Sequence, residues 1–307
     1  MGDDLAERLV DGINATYGSH AGHRAVHAKG VLCAATFTPT ESASAVSRAP
    51  HFAGPPVRAH VRFSNGGGDP TVPDATRDAR GMAVKFYLPD GKTTDIVALS
   101  LPVFFTRTPE DLLAFNEARR PDPATGQPDM DKVGAFLAEH PETVPAVTAA
   151  ISHPAPASYA ALTYHGIHAF GFAAADDSVR FGRYHLVPEG GAETITEEEA
   201  AAKPADYLRD ELEERLLRGP AAFGIDVQLA ADGDPLDDPT AEWPPEREAV
   251  RLGRLEITAL AFDREQGDDI LVFDPTHVPD GITLTDDKIL LARPGAYSVS
   301  VTRRTST

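Results

Sequence analysis

Cysteine is nearly missing from this chain. Cys33 is the only one in 307 residues, which excludes an internal disulfide and a zinc site built from cysteines. Long apolar runs are missing too, since no stretch approaches the ~20 consecutive apolar residues of a membrane span. Basic charge is scarce: 28 lysines and arginines face 47 acidic residues, for a formal net charge of −19. That balance argues against nucleic acid and anionic membrane as partners, because both need a basic face. The first twenty residues are acidic and polar rather than basic then apolar, so no secretory signal is read there and cytoplasmic residence is the default expectation.

What is present suffices for a sizeable core, with 42% hydrophobic residues. Apolar and polar residues alternate over 31–38, 57–64, 81–88, 169–174, 179–187, 223–229 and 255–261, separated by turns rich in Gly, Pro and Asp. Such strands predict an antiparallel sheet large enough to close into a barrel. Helical spacing is read over 1–20, 110–118, 132–139 and 207–217. Residues 231–250, dense in Asp, Pro and Glu and carrying the only tryptophan, Trp243, read as a long wrapping loop. Strand pattern resumes after it, so a single domain over 1–307 is expected.

Against the acidic background a few cationic clusters stand out. Any one arginine is read most simply as a solvated surface charge. Arg58 and Arg62 on one strand face are harder to dismiss, because like charges packed together need an anion. His27 lies between Arg24 and Lys29, and imidazole suits a proton shuttle near neutrality because its pKa is ~6.5. Ser64 is a candidate to hold its ring. Near the end, Arg293, Tyr297 and Arg304 fall on one face if the segment is helical. Pro294 and the β-prone run Ser298–Thr302 speak equally for a terminal strand with a surface tyrosine.

The motifs go further than spacing. Arg24-Ala25-Val26-His27-Ala28-Lys29-Gly30 resembles the distal-histidine motif of catalases, and Arg62-Phe63-Ser64 the strand bearing its serine partner. Residues 77–87, from Arg77 to Tyr87, match a catalase signature nearly throughout. Asp95-Ile96-Val97 with Pro102-Val103-Phe104-Phe105 is similar to the segment covering the distal haem face, and Arg293-x-x-x-Tyr297 to the proximal helix. The resemblance runs from about residue 22 to 304 and is closest to the small, core-only catalase-related peroxidases. It implies an α+β fold: an antiparallel eight-stranded β-barrel with a wrapping loop and helices, the proximal one over 286–304. It also implies haem b, one iron per chain, with Tyr297 as metal ligand and His27 as distal acid–base beside Ser64. Arg293 would pair with Tyr297, Arg24, Arg62 and Arg304 would hold the propionates, and Phe104 would stack on the porphyrin. The implied activity is reduction of organic hydroperoxides and hydrogen peroxide through a ferryl intermediate, with an unknown electron donor.

Departures from the family pattern are as informative. Leu99 stands where true catalases place a distal asparagine, so disproportionation of hydrogen peroxide is expected to be weak. No long threading arm precedes the distal motif and no helical domain follows Tyr297, so a monomer or homodimer is expected. Pro245 after Trp243-Pro244 departs from the family pattern and argues against NADPH. Two rivals stand beside this reading. An allene oxide synthase carries threonine just before the distal histidine, where this chain has Val26. A haem-binding module without turnover would need no acid–base histidine.

Overall fold

In the computed structural model, residues 2–262 and 270–306 are described. The alternating segments form strands β1 (Gly30–Pro39), β2 (Val57–Asn65), β3 (Arg80–Tyr87), β4 (Thr93–Leu99), β5 (Tyr164–His165), β6 (Phe170–Ala173), β7 (Val179–Pro188), β8 (Ala221–Leu229), β9 (Ala249–Leu260) and β10 (Ile282–Leu284). All pair antiparallel. Following the pairings β1-β2-β3-β4-β5-β7-β8-β9 and back to β1 closes a ring of eight strands. The remaining two extend one wall: β6 pairs with the first half of β7 and carries β10, while β5 pairs with the later part of β7. Closure leaves the ring without unpaired edges.

Period-two patterning decides which side chains fill the ring. On β2, Val57, Ala59, Val61 and Phe63 join the main buried cluster with Val31, Cys33, Ala35 and Phe37 of β1 and Met82, Val84 and Phe86 of β3. Their neighbours Arg58, His60, Arg62 and Ser64 therefore face outward. On β4, Ile96 and Ala98 belong to the inner cluster, whereas Val97 and Leu99 pack in separate clusters. That outer wall carries the candidate site. β4 was not read from the alternation, because Asp95 on the outward face is itself buried against Lys85, 2.6 Å away. With both faces covered, the polar signal of a half-exposed strand is lost. β5 and β10 are two and three residues long, too short for a periodic signal.

Helices occupy Gly2–Tyr17, Pro109–Ala118, Met130–Glu139, Tyr207–Arg218 and Lys288–Thr305, together with Val144–Ser152, which was not expected. The first stops short of residue 20 because Gly18 adopts φ +85°, a conformation glycine takes without steric cost, and donates to the Asn14 carbonyl. Its buried residues Ala6, Leu9 and Val10 lie on the side that packs on the helices Pro109–Ala118 and Lys288–Thr305. The last helix begins after Asp287, whose carboxylate caps the Ile289 and Leu290 amides, two residues later than the expected 286. The loop from 231 wraps the wall as far as 248, and the last residues of the expected span already belong to β9. Its Trp243 ring lies under the Arg183 guanidinium at 4.4 Å, while Arg183 donates to the Ala241 and Asp238 carbonyls.

One core residue makes stability depend on pH. His51 is 1% exposed among Phe37, Phe52 and Phe86, and its Nδ1 finds no partner among the described residues. Burial lowers its pKa from 6.5 to about 3. Below pH 6.5 the unfolded chain takes up this proton and the folded chain does not, so stability falls with pH across that window. Between pH 6.5 and 4 this single group removes on the order of 3 kcal/mol. Urea titrations at the two pH values should show a smaller loss for His51→Leu than for the parent protein. Equal losses would mean that His51 is not the group responsible.

Candidate active site

Geometry at His27 begins with its backbone. His27 has φ +54°, a left-handed conformation that non-glycine residues seldom adopt, and such strain persists only where the surroundings enforce it. Here they do. The His27 amide donates to the Gly66 carbonyl at 3.2 Å, and Arg62 Nη1 donates to the His27 carbonyl at 2.9 Å. Gly81 sits directly beneath the ring: a Cβ there would lie 2.8 Å from Ser64 Oγ and 2.9 Å from His27 Nδ1. Only a residue without a side chain lets the imidazole lie flat against the wall.

The ring is held through Nδ1. Ser64 Oγ stands 3.0 Å away, and so does the main-chain carbonyl of Asn65. A carbonyl can only accept, so Nδ1 carries the proton and Nε2 is the bare nitrogen. Sequence reasoning offered Ser64 as the residue to hold the ring. A hydroxyl can donate or accept, so the Asn65 carbonyl is what decides the tautomer. Burial lowers the His27 pKa to about 4, and the positive charges of Arg62, Arg293 and Arg24 add to the effect. The imidazole is therefore neutral near pH 7, and among the described residues Nε2 has no hydrogen-bond partner.

On the C-terminal helix, Arg293 Nη1 donates to Tyr297 Oη at 3.2 Å, as the one-turn spacing requires. The Ala25 amide donates to Ser300 Oγ at 3.5 Å, which joins this helix to the loop bearing His27 one turn beyond Tyr297. Sequence reasoning missed His168 and Asp287. Asp287 Oδ2 lies 2.6 Å from His168 Nδ1, both side chains are 1% exposed, and the Arg293 charge helps to lower the His168 pKa to about 4 after the larger effect of burial. The two are 119 residues apart, a distance over which no local pattern connects them. His168 Nε2 is buried without a partner among the described residues.

The other predicted residues are held by contacts of their own. Arg24 donates to the Leu271 carbonyl and lies over Phe273, on the same outer wall as Leu32, Ala83 and Val97. Arg62 is buried, and its Nη2 reaches the Ala28 carbonyl at 3.4 Å in addition to Nη1 on His27, so its guanidinium braces the His27 loop. Arg304 is buried near the end of the last helix. Phe104 packs edge-on to Phe105, its amide bonded to the Pro239 carbonyl of the wrapping loop. Leu99 is buried with Leu101, Ile167, Phe104 and Phe105 in an apolar cluster on this wall.

The donor set fits an iron porphyrin. Tyr297 offers a phenol oxygen whose one hydrogen bond among the described residues comes from a cation, His27 offers a neutral imidazole with an open nitrogen, and arginines supply positive charge for carboxylates.

Comparison with known proteins gives the same direction. The sequence model of the family described as Catalase matches residues 8–307. The chain is 43% identical over 300 residues to a catalase-related peroxidase of Mycolicibacterium paratuberculosis, covering 97% of this chain and 94% of that protein. It is 35% identical to a catalase-related peroxidase of Synechococcus elongatus, covering 97% and 88%. Among solved structures, a bacterial catalase superposes with a TM-score of 0.81 at 26% identity, over 93% of this chain and 58% of that one. Catalase A of Saccharomyces cerevisiae gives a TM-score of 0.83 at 24% identity, over 93% and 62%.

Proposed function

The chain belongs to the catalase family, and from that premise we propose that it is a haem peroxidase that reduces organic hydroperoxides in preference to hydrogen peroxide. The relatives named catalase-related peroxidase support the activity. The observation that carries the reading is the bare Nε2 of a neutral, strained His27, whose loop is joined through Ala25 and Ser300 to the helix that presents Tyr297 and Arg293. One haem b per chain, ligated by Tyr297 and held by Arg24, Arg62, Arg304 and stacking on Phe104, completes the proposal.

Haem, when bound, supplies the two electrons that cleave the O–O bond. The residues of the chain manage the proton. His27 Nε2 accepts it from the near peroxide oxygen and returns it to the far oxygen, which leaves as alcohol or water. Nδ1 stays protonated throughout, because the Asn65 carbonyl cannot give a proton back. An external electron donor, of unknown identity, then restores the resting enzyme. No helix among the described residues is long and apolar enough to cross a membrane.

Leu99 sets the substrate preference. It offers no hydrogen bond to peroxide, and its cluster with Leu101, Ile167 and Phe105 presents an apolar surface to an alkyl group. A well-aimed donor in such a position contributes ~3–4 kcal/mol to the transition state. Leu99→Asn is therefore expected to raise the hydrogen peroxide rate relative to an alkyl hydroperoxide by ~10²-fold or more. Steady-state kcat/KM for hydrogen peroxide and tert-butyl hydroperoxide, on parent and variant, provides the check. A parent enzyme dominated by hydrogen peroxide disproportionation would overturn the preference.

A further inference from the structure

Behind His27 lies a buried polar cluster that the proposed reaction does not use directly. Asn65, whose carbonyl grips the imidazole, is itself only 7% exposed, and its side chain is bonded at both ends. Its Nδ2 donates to Asp74 Oδ1 at 2.8 Å, and its Oδ1 accepts from Tyr159 Oη at 2.8 Å. The amide orientation follows from its partners: a carboxylate only accepts, and burial raises the Tyr159 pKa so that the phenol keeps its proton and donates. Tyr159 is fixed in turn by stacking on Phe63, with ring centroids 5.6 Å apart and planes 11° apart.

Asp74 is the hub. Its Oδ1 also accepts from Lys29 Nζ at 2.8 Å, its Oδ2 takes the Leu208 amide at 3.0 Å, and its carbonyl takes Arg80 Nη2 at 2.7 Å. Lys29 follows His27 by two residues and reaches the Val72 and Ala205 carbonyls as well. The Asn65 amide meanwhile donates to the Lys29 carbonyl at 3.0 Å. One carboxylate therefore anchors both the residue behind the imidazole and the chain just after it.

We propose that Asn65, Asp74 and Tyr159 form a positioning clamp that holds the Asn65 carbonyl against His27 Nδ1, keeping Nε2 unprotonated and aimed at the reacting oxygens. The inference rests on the reading of His27 as the acid–base group. A purely structural cluster would support the β2 end and the Lys29 loop without affecting the imidazole.

Cyanide separates the two, because hydrogen cyanide must give up its proton to a nearby base when it binds haem iron. Cyanide affinity thus reports Nε2 without turnover. In the haem-loaded protein, Asn65→Ala should weaken cyanide binding and lower kcat/KM for tert-butyl hydroperoxide together, by ~10–100-fold, the usual range for losing an outer-shell partner. Haem content and absorption spectrum should stay at parent values. Tyr159→Phe keeps the stacking and should show a smaller parallel loss. Asn65→Asp places two carboxylates face to face and should be the worst. Unchanged cyanide affinity in Asn65→Ala and Tyr159→Phe overturns the clamp. A parent protein that binds haem and cyanide but does not turn over hydroperoxide instead overturns the peroxidase reading.

Discussion

Replacing His27 with alanine is expected to lower hydroperoxide turnover by ~10²–10⁴-fold, the range for losing a general acid–base group, while leaving haem in place. The separation follows from geometry. Imidazole contacts made by His27 run through Nδ1 to Ser64 and Asn65, and none of them reaches Tyr297 or Arg293. Haem content by the pyridine haemochrome assay and kcat/KM on the same sample test both halves. Haem lost in parallel with activity would mean that His27 supports binding rather than chemistry. A haem-loaded parent that is already inert would make the protein a carrier.

The second large effect concerns Tyr297. Tyr297→Phe removes the only phenol oxygen that the C-terminal helix presents beside Arg293, so haem affinity should fall by ~10–100-fold or more. What haem remains should lose the spectrum of phenolate ligation. Arg293→Gln tests the cation separately. It keeps the oxygen but removes the cationic donor bonded to it at 3.2 Å. The protein should still bind haem, with a shifted spectrum and slower turnover. A Tyr297→Phe variant with parental haem content and spectrum would exclude this residue as the ligand.

How much of this was legible in the sequence depends on how local the signal was. His27, Ser64 and the arginines near them occupy short motifs whose residue types survive without knowledge of the fold, and the closed barrel announced itself through strands with one polar face. The C-terminal helix was ambiguous on propensity alone, with Pro294 and β-branched Val299 and Val301 inside it, yet it is helical from Lys288 to Thr305. Packing against the N-terminal helix and the Asp287 cap outweigh a weak local preference. What sequence reasoning could not reach is of two kinds. A main-chain carbonyl such as that of Asn65 has no residue signature at all. Contacts such as His168 with Asp287 join positions whose proximity exists only once the chain has closed on itself.

Outward placement of the chemistry has a consequence for how this protein can vary. Barrel filling is apolar along β1 and along β2 from Val57 to Phe63, with the buried Asn65 amide ending the row, while the catalytic candidates hang on the other surface of the same staves. A methyl group trimmed from Val61 or Val84 alters how firmly the cylinder holds together, yet leaves every proton-handling atom bonded as before. Mutational drift can therefore tune endurance on the inner surface and reactivity on the outer one almost independently, with Asn65, bonded to Tyr159 on one surface and to His27 on the other, as the point where the two meet.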